Sequence, residues 1–149
     1  MKKPVVVDST CLIGLERIDQ LRLLPDLFDP VYAPPEVAKE FGEPPPWLRI
    51  KAPADRALVD ALGMLVDAGE AEAIALAREL GMRIVLDDLR ARSVGRRMDL
   101  QVLGTLGILI RAKQAGLIGP IRPLIGALEE QGFHMGEALK EEALRLAGE

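Results

Sequence analysis

Twice in this chain a run of apolar, largely β-branched residues stops on a carboxylate and gives way at once to helix-start chemistry. The first instance is Pro4-Val-Val-Val-Asp8-Ser-Thr-Cys-Leu-Ile13; the second is Arg83-Ile-Val-Leu86, followed by Asp87-Asp88 and the helical stretch Leu89 to Arg97. Runs of this kind fill strands buried on both faces, as in a parallel sheet covered by helices, and Ser9 or Thr10 is suited to cap the helix that follows Asp8. The repeated unit is strand, acid, helix, which confines the fold to layered α/β architectures.

The remaining pattern agrees with that unit. Apolar positions from Leu12 to Phe28 keep a helical period broken near Asp19 and Pro25, which predicts two short helices. Pro30 to Ala33 reads as a brief strand. Pro34-Pro35 then opens a helix in which Val37/Phe41 form an apolar i, i+4 pair and Glu36/Glu40 an acidic one. Gly42 to Pro46 breaks that helix, and Trp47 to Ala52 reads as extended. Asp55 to Val66 is helical by pattern. Ala68-Gly69 is expected to interrupt it before an alanine-rich helix from Glu70 to Leu80, which Gly81 stops. Gln101 to Leu103 is a short strand, Gly104-Thr105 opens a helix over Leu106 to Ala115, and Pro120 to Glu130 and Glu137 to Ala147 are two closing helices. Strands alternating with helices predict an α/β fold, a three-layer α/β/α sandwich around a mainly parallel sheet, in one domain spanning 1–149.

Composition removes several function classes. A hydrophobic share of 49% beside 28% charged residues is a globular balance, and no apolar run approaches the ~20 residues of a membrane span. The N-terminus reaches Asp8 after three valines, too short for the apolar region of a signal peptide, so a soluble, cytoplasmic protein is expected. Cys11 is the only cysteine and His134 the only histidine, which excludes an internal disulfide and any Cys/His zinc site within one chain. A metal here must be held by oxygen. The net charge of −4 argues against a general polyanion binder while leaving room for a local basic face. Asparagine is absent while proline and arginine are plentiful, which suits a heat-stable protein or a GC-rich genome.

In open α/β sheets ligands sit beyond the carboxyl ends of the strands, where strand order reverses. Asp8 and Asp87/Asp88 are expected on that edge, joined by Glu40 from the helix after the second strand and by Glu70 from the start of the helix before Arg83. Carboxylates gathered there repel one another unless a cation neutralises them. With oxygen ligands alone, Mg²⁺ or Mn²⁺ is the natural occupant, able to activate a water for attack on a phosphodiester.

The segments Val5-Val-Val-Asp8-Ser-Thr-Cys-Leu-Ile13, Pro34-Pro-Glu-Val-Ala-Lys-Glu40-Phe41, Gly69-Glu70-Ala-Glu72-Ala, Leu86-Asp87-Asp88-Leu-Arg-Ala-Arg92 and Gly104-Thr105-Leu-Gly-Ile-Leu109, in that order, resemble the PIN-domain nucleases. The branch they look closest to is the VapC-like one with a Gly-Glu-Ala-Glu-Ala segment. The resemblance covers most of the chain. It implies a PIN-like fold, a Mg²⁺- or Mn²⁺-dependent ribonuclease site, and a homodimer neutralised by a small antitoxin protein. Carried over by position, Asp8 matches the first family acid and Glu40 the second. Glu70 stands where many members have aspartate, one methylene shorter. Asp88 matches the last acid, with Asp87 beside it, and the choice between those two stays open. All five are thereby expected to be catalytic metal ligands. Ser9 and Thr105 are expected in support, Thr105 by hydrogen-bonding and orienting a carboxylate.

Plainer readings stand beside these. Asp8 can be strand-to-helix punctuation, Glu40 a solvated helix acid, and Glu70 and Glu72 residues that favour a helix N-terminus through its dipole. The acid pair Asp87-Asp88 also suits a phosphoacceptor receiver domain, but the only later aspartate, Asp99, precedes a strand and so faces the wrong edge. Arg90, Arg92, Arg96 and Arg97 form two basic helical stripes, either contacts for RNA or a solvated face. Cys11 and His134 read as structural. Trp47 is an aromatic platform for a base or, more simply, packs its loop. Leu106 to Ile110 belongs to a dimer interface or to the core. The alternative to a ribonuclease is a PIN-like domain that binds RNA or protein without cutting.

Overall fold

A computed structural model describes all of residues 1–149. Five strands, β1 (Lys3–Val7), β2 (Phe28–Ala33), β3 (Leu48–Ile50), β4 (Arg83–Val85) and β5 (Val102–Leu103), form one parallel sheet in the spatial order β3-β2-β1-β4-β5. The chain winds outward from β1 in one direction to β3, then returns to the other side of β1 for β4 and β5. Strand order therefore reverses between β1 and β4, where Val7 pairs with Val85.

Alternation along β1 builds both sides of the core, because successive strand side chains point to opposite faces. Val5 and Val7 pack with Leu12, Leu15, Ile108 and Leu109 on one face; Val6 packs with Ile74, Leu76, Ile84 and Leu86 on the other. The first layer holds α1 (Ser9–Arg17), α2 (Leu23–Leu27), α7 (Thr105–Gln114), α8 (Arg122–Glu130) and α9 (Glu137–Leu146). The second holds α4 (Arg56–Leu62), α5 (Ala68–Leu80) and α6 (Leu89–Arg97). Helix α3 (Pro35–Phe41) packs against both α1 and α5. The three-layer α/β/α sandwich read from the sequence is the observed fold. No helix is long and apolar enough to cross a membrane.

Several local expectations need correction. The cap of α1 is Asp8 itself, whose carboxylate accepts the Cys11 N–H at 3.0 Å, so neither Ser9 nor Thr10 serves that role. Ala68-Gly69 does not interrupt a helix but lies inside the first turn of α5. Asp67 caps that helix by accepting the Glu70 N–H, while the Glu70 carboxylate accepts the Asp67 N–H. This reciprocal capping box leaves no room for a break at Gly69. Pro25 sits within the first turn of α2, where a missing N–H is tolerated. The break expected near Asp19 is observed, between Arg17 and Leu23, where Asp19 takes a positive φ of 58°. Helix α4 stops at Leu62, short of Val66, while Gly81 ends α5 with φ 66° as its pattern predicts. Leu106, Ile108 and Leu109 are buried in the core.

Candidate functional site

Asp8 and Asp87 come off the carboxyl ends of the adjacent strands β1 and β4, at the crevice where strand order reverses. Asp8 is only 3% exposed. Its Oδ1 is taken by the Cys11 N–H, and its other oxygen has no protein partner; since every fully enclosed side-chain polar atom has one, that oxygen opens to the crevice. The cap and the site thus use different lone pairs of one carboxylate.

Asp87 is held from the far side by the start of α7. The Thr105 N–H donates to its Oδ1 at 2.8 Å and the Thr105 hydroxyl to its Oδ2 at 2.6 Å. Arg92 stands beside it, donating to the Leu86 carbonyl at 2.7 Å. A Cβ on Gly104 would lie 2.9 Å from the Arg92 guanidinium and 3.3 Å from Asp87 Oδ1, so any larger residue displaces this pair. Asp88 has a different task. Exposed at the N-terminus of α6, it caps that helix by accepting the Ala91 N–H at 2.9 Å.

Glu40 is exposed on α3 and accepts the Ser9 hydroxyl at 3.0 Å, linking α3 to the start of α1. Its Oε1 lies 3.0 Å from where a Gly69 Cβ would be, which sets it against the N-terminus of α5 and close to Glu70. Glu72, one turn-half away on the same helix, stays out of this group. It is 5% exposed and accepts the Glu36 N–H at 3.0 Å and the Arg56 guanidinium at 3.1 Å, tying α3 and α4 to α5.

The acids feel one another. Burial first, then the charges of Asp87, Glu70 and Asp67, hold the Asp8 carboxyl well above its ordinary range, against the opposing Cys11 hydrogen bond. Burial pushes Glu70 up to about 7, with Asp67, Asp88 and Glu40 adding to the rise and the Asp67 N–H opposing it. Asp87 is likewise raised by burial, while the Thr105 hydrogen bonds and the Arg92 charge pull it back. None of Asp8, Glu40, Glu70, Asp87 and Asp88 forms an ion pair with a lysine or arginine. An oxygen-only group of mutually repelling carboxylates without a cation has the donor chemistry of a hard divalent ion. With the side chains as they stand, no three of them converge closely enough to share one ion.

The basic stretch divides. Arg92 and Arg96 line a groove that begins at Asp87, whereas Arg90 and Arg97 are exposed and lie outside it. His134, expected to be structural, is exposed in the turn before α9 and lines that same groove. Cys11 is fully buried and Trp47 packs against the core, each in a structural role. Asp99 lies with Lys3 and Gly81 at the opposite edge of the sheet, so a receiver-type phosphoacceptor pocket does not form. Sequence reading missed Asp67, whose signal was the Asp67-x-x-Glu70 capping-box spacing. It also missed the tethering role of Glu72, which depends on three separate segments and has no local signal.

A family model described as DUF3368, a PIN domain, matches residues 4–149. No curated protein matches the chain. With nearly the whole length matched, and with the fold and the acid-lined crevice agreeing with it, the chain belongs to the PIN-domain family.

Proposed function

We propose that the protein is a Mg²⁺- or Mn²⁺-dependent ribonuclease of the VapC-like kind, hydrolysing RNA phosphodiester bonds at the crevice between β1 and β4. The observation that carries the reading is the meeting of Asp8, Glu70 and Asp87 in one electrostatic neighbourhood at the strand reversal, with no cation paired to any of them. A PIN fold is a nuclease fold in general terms.

When bound, a divalent ion supplies a water that ionises near neutral pH and a counter-charge for the leaving oxygen. Asp8, through its open oxygen, and Glu70 are the residues that would hold it, with Glu40 and Asp88 completing the rim. Asp87, fixed by Thr105, supplies negative charge at a set position, and Arg92 favours its ionised form. Ser9 keeps Glu40 turned toward α1. The proposal includes RNA as substrate, a homodimer as the working unit, a small antitoxin as protein partner, the cytoplasm as location, and residues 1–149 as one domain.

One observation favours the rival reading, a PIN domain that binds RNA or protein without cutting: both Asp87 oxygens are already engaged by Thr105, and no three acids converge. Incubating wild type and Asp8→Asn with single-stranded and hairpin RNAs in Mg²⁺ or Mn²⁺ separates the two. Cleavage by wild type alone supports the ribonuclease; equal cleavage by both, or none with either metal, removes it.

A further inference from the structure

We propose that a single RNA strand leaves the acidic rim along the groove between α7 and α9 and ends on a cationic site at the opposite edge of the sheet, formed by Lys3, Arg83 and Arg111. This rests on the ribonuclease reading and adds the path of the substrate to it.

The groove has a volume of about 700 Å³, with Asp87 and Gly104 at its upper end and Arg111 and Gln114 at its lower end. Those limits span the ten residues of α7, roughly 15 Å of helix, which carries the groove from the carboxyl edge of the sheet to the amino edge. Arg92 and Arg96 supply charge from α6, and Leu139 and Leu146 of α9 supply exposed apolar wall. Apart from Asp87, the only acid in the groove is Glu142, which Arg145 already neutralises. The guanidiniums of Arg96 and Arg111 have neither a carboxylate partner nor a hydrogen bond to any protein group.

At the lower end a second recess, of about 440 Å³, shares Arg111 and Gln114 with the groove and adds Lys2, Lys3 and Arg83, with no acid in its lining. Arg83 is held below the usual guanidinium range by burial and by the like charge of Arg111. Two neighbouring guanidiniums without a counter-ion, in a chain of net charge −4, mark a place where an anion relieves repulsion. Nucleic acid suits both ends at once. Phosphates meet Arg96, Arg111 and Arg83 in sequence, while bases lie against the apolar wall and the rings of Phe133 and His134. A second copy of the chain suits it poorly, because symmetric pairing across the groove sets the same unpaired arginines against each other.

The test uses the Asp8→Asn protein, so that RNA stays intact, and measures fluorescence anisotropy with labelled single strands of about sixteen and about four nucleotides in Mg²⁺. Arg83→Ala/Arg111→Ala, and separately the exposed Lys3→Glu, are expected to weaken the long RNA about tenfold or more. The double variant should reduce the salt slope by roughly 1.4, at 0.7 per phosphate contact, and neither variant should alter the short RNA, which cannot reach the lower site. Unchanged affinity for the long RNA in both variants overturns the track. So does loss of self-association, read by light scattering, with RNA affinity intact, which would assign the groove to a dimer. Cleavage of the short RNA by protein carrying Asp8 reports on the ribonuclease reading independently: if it persists while the track variants bind normally, only the track fails.

Discussion

Thr105 holds both oxygens of Asp87, its backbone N–H at 2.8 Å and its hydroxyl at 2.6 Å, so one residue at the start of α7 fixes the carboxylate that leaves β4. Thr105 is fully buried, and the hydrogen bonds go to a group that repels its neighbours when ionised. Thr105→Val keeps the shape and removes the hydroxyl. Hydrogen bonds to charged groups contribute about 2 kcal/mol, so the variant should melt several degrees lower. Its RNA cleavage should fall at least roughly tenfold, because the carboxylate loses its orientation. Wild-type cleavage together with a lowered melting temperature would leave Thr105 a purely structural residue.

Asp8 is a liability to the metal-free protein. Its carboxyl is raised in the folded state, so folding favours the protonated form and the ionised form is destabilising. That penalty is absent at low pH, where the group is protonated in folded and unfolded chains alike, and grows as pH rises above the ordinary carboxylate range. Asp8→Asn retains an oxygen able to accept the Cys11 N–H. In chelator at pH 8 it should therefore be more stable than wild type by about 1 kcal/mol, roughly 3 °C in melting temperature, with the difference vanishing near pH 4. A destabilised Asp8→Asn at pH 8 would mean that the cap outweighs the repulsion.

Glu70 gives the same sign. Its ordinary value of 4.5 rises to about 7 on folding, so between those values the folded chain binds more protons than the unfolded one. Stability should fall as pH rises through that window and level off above it. Glu70→Gln keeps the carbonyl that accepts the Asp67 N–H and should flatten the decline, measured as melting temperature against pH in chelator. A profile indistinguishable from wild type would place the effect elsewhere.

Gly69→Ala is expected to separate activity from stability. An added methyl would sit 3.0 Å from Glu40 Oε1, the movable end of an exposed side chain, so Gly69→Ala should displace Glu40 with little strain. Helix propensity favours alanine by up to about 1 kcal/mol. The variant should melt at or above the wild-type temperature yet cleave RNA roughly tenfold more slowly, since small displacements of catalytic groups are costly. Undiminished cleavage would take Glu40 out of the site.

How much of this was legible from the sequence depends on the range of the interaction involved. Val5 to Val7 and Ile84-Val85 announced buried parallel strands because apolar runs of that length have few other uses, and the acids following them fell on the right edge for the same reason. Capping is legible in principle at Asp67-x-x-Glu70, yet Ala68-Gly69 reads locally as a break; the reciprocal hydrogen bonds of the capping box outweigh the low propensity of one glycine in a first turn. The contact of Ser9 with Glu40, thirty-one residues apart, and the three-way tether at Glu72 were not legible, since they depend on which helices the sheet order brings together. Asp87 and Asp88 differ in a way that adjacency conceals. The first turns inward to Thr105, and the second caps α6, because a helix starting at Leu89 assigns the cap to the residue just before it.

A crystal structure of the wild-type protein soaked in Mn²⁺, with anomalous scattering used to locate the ion, tests the metal assignment at the crevice. An anomalous peak is expected within coordination distance of the open Asp8 oxygen and of Glu70. A well-ordered crevice with all five acids in place and no peak at any Mn²⁺ concentration, or a peak only at surface carboxylates elsewhere, would contradict it.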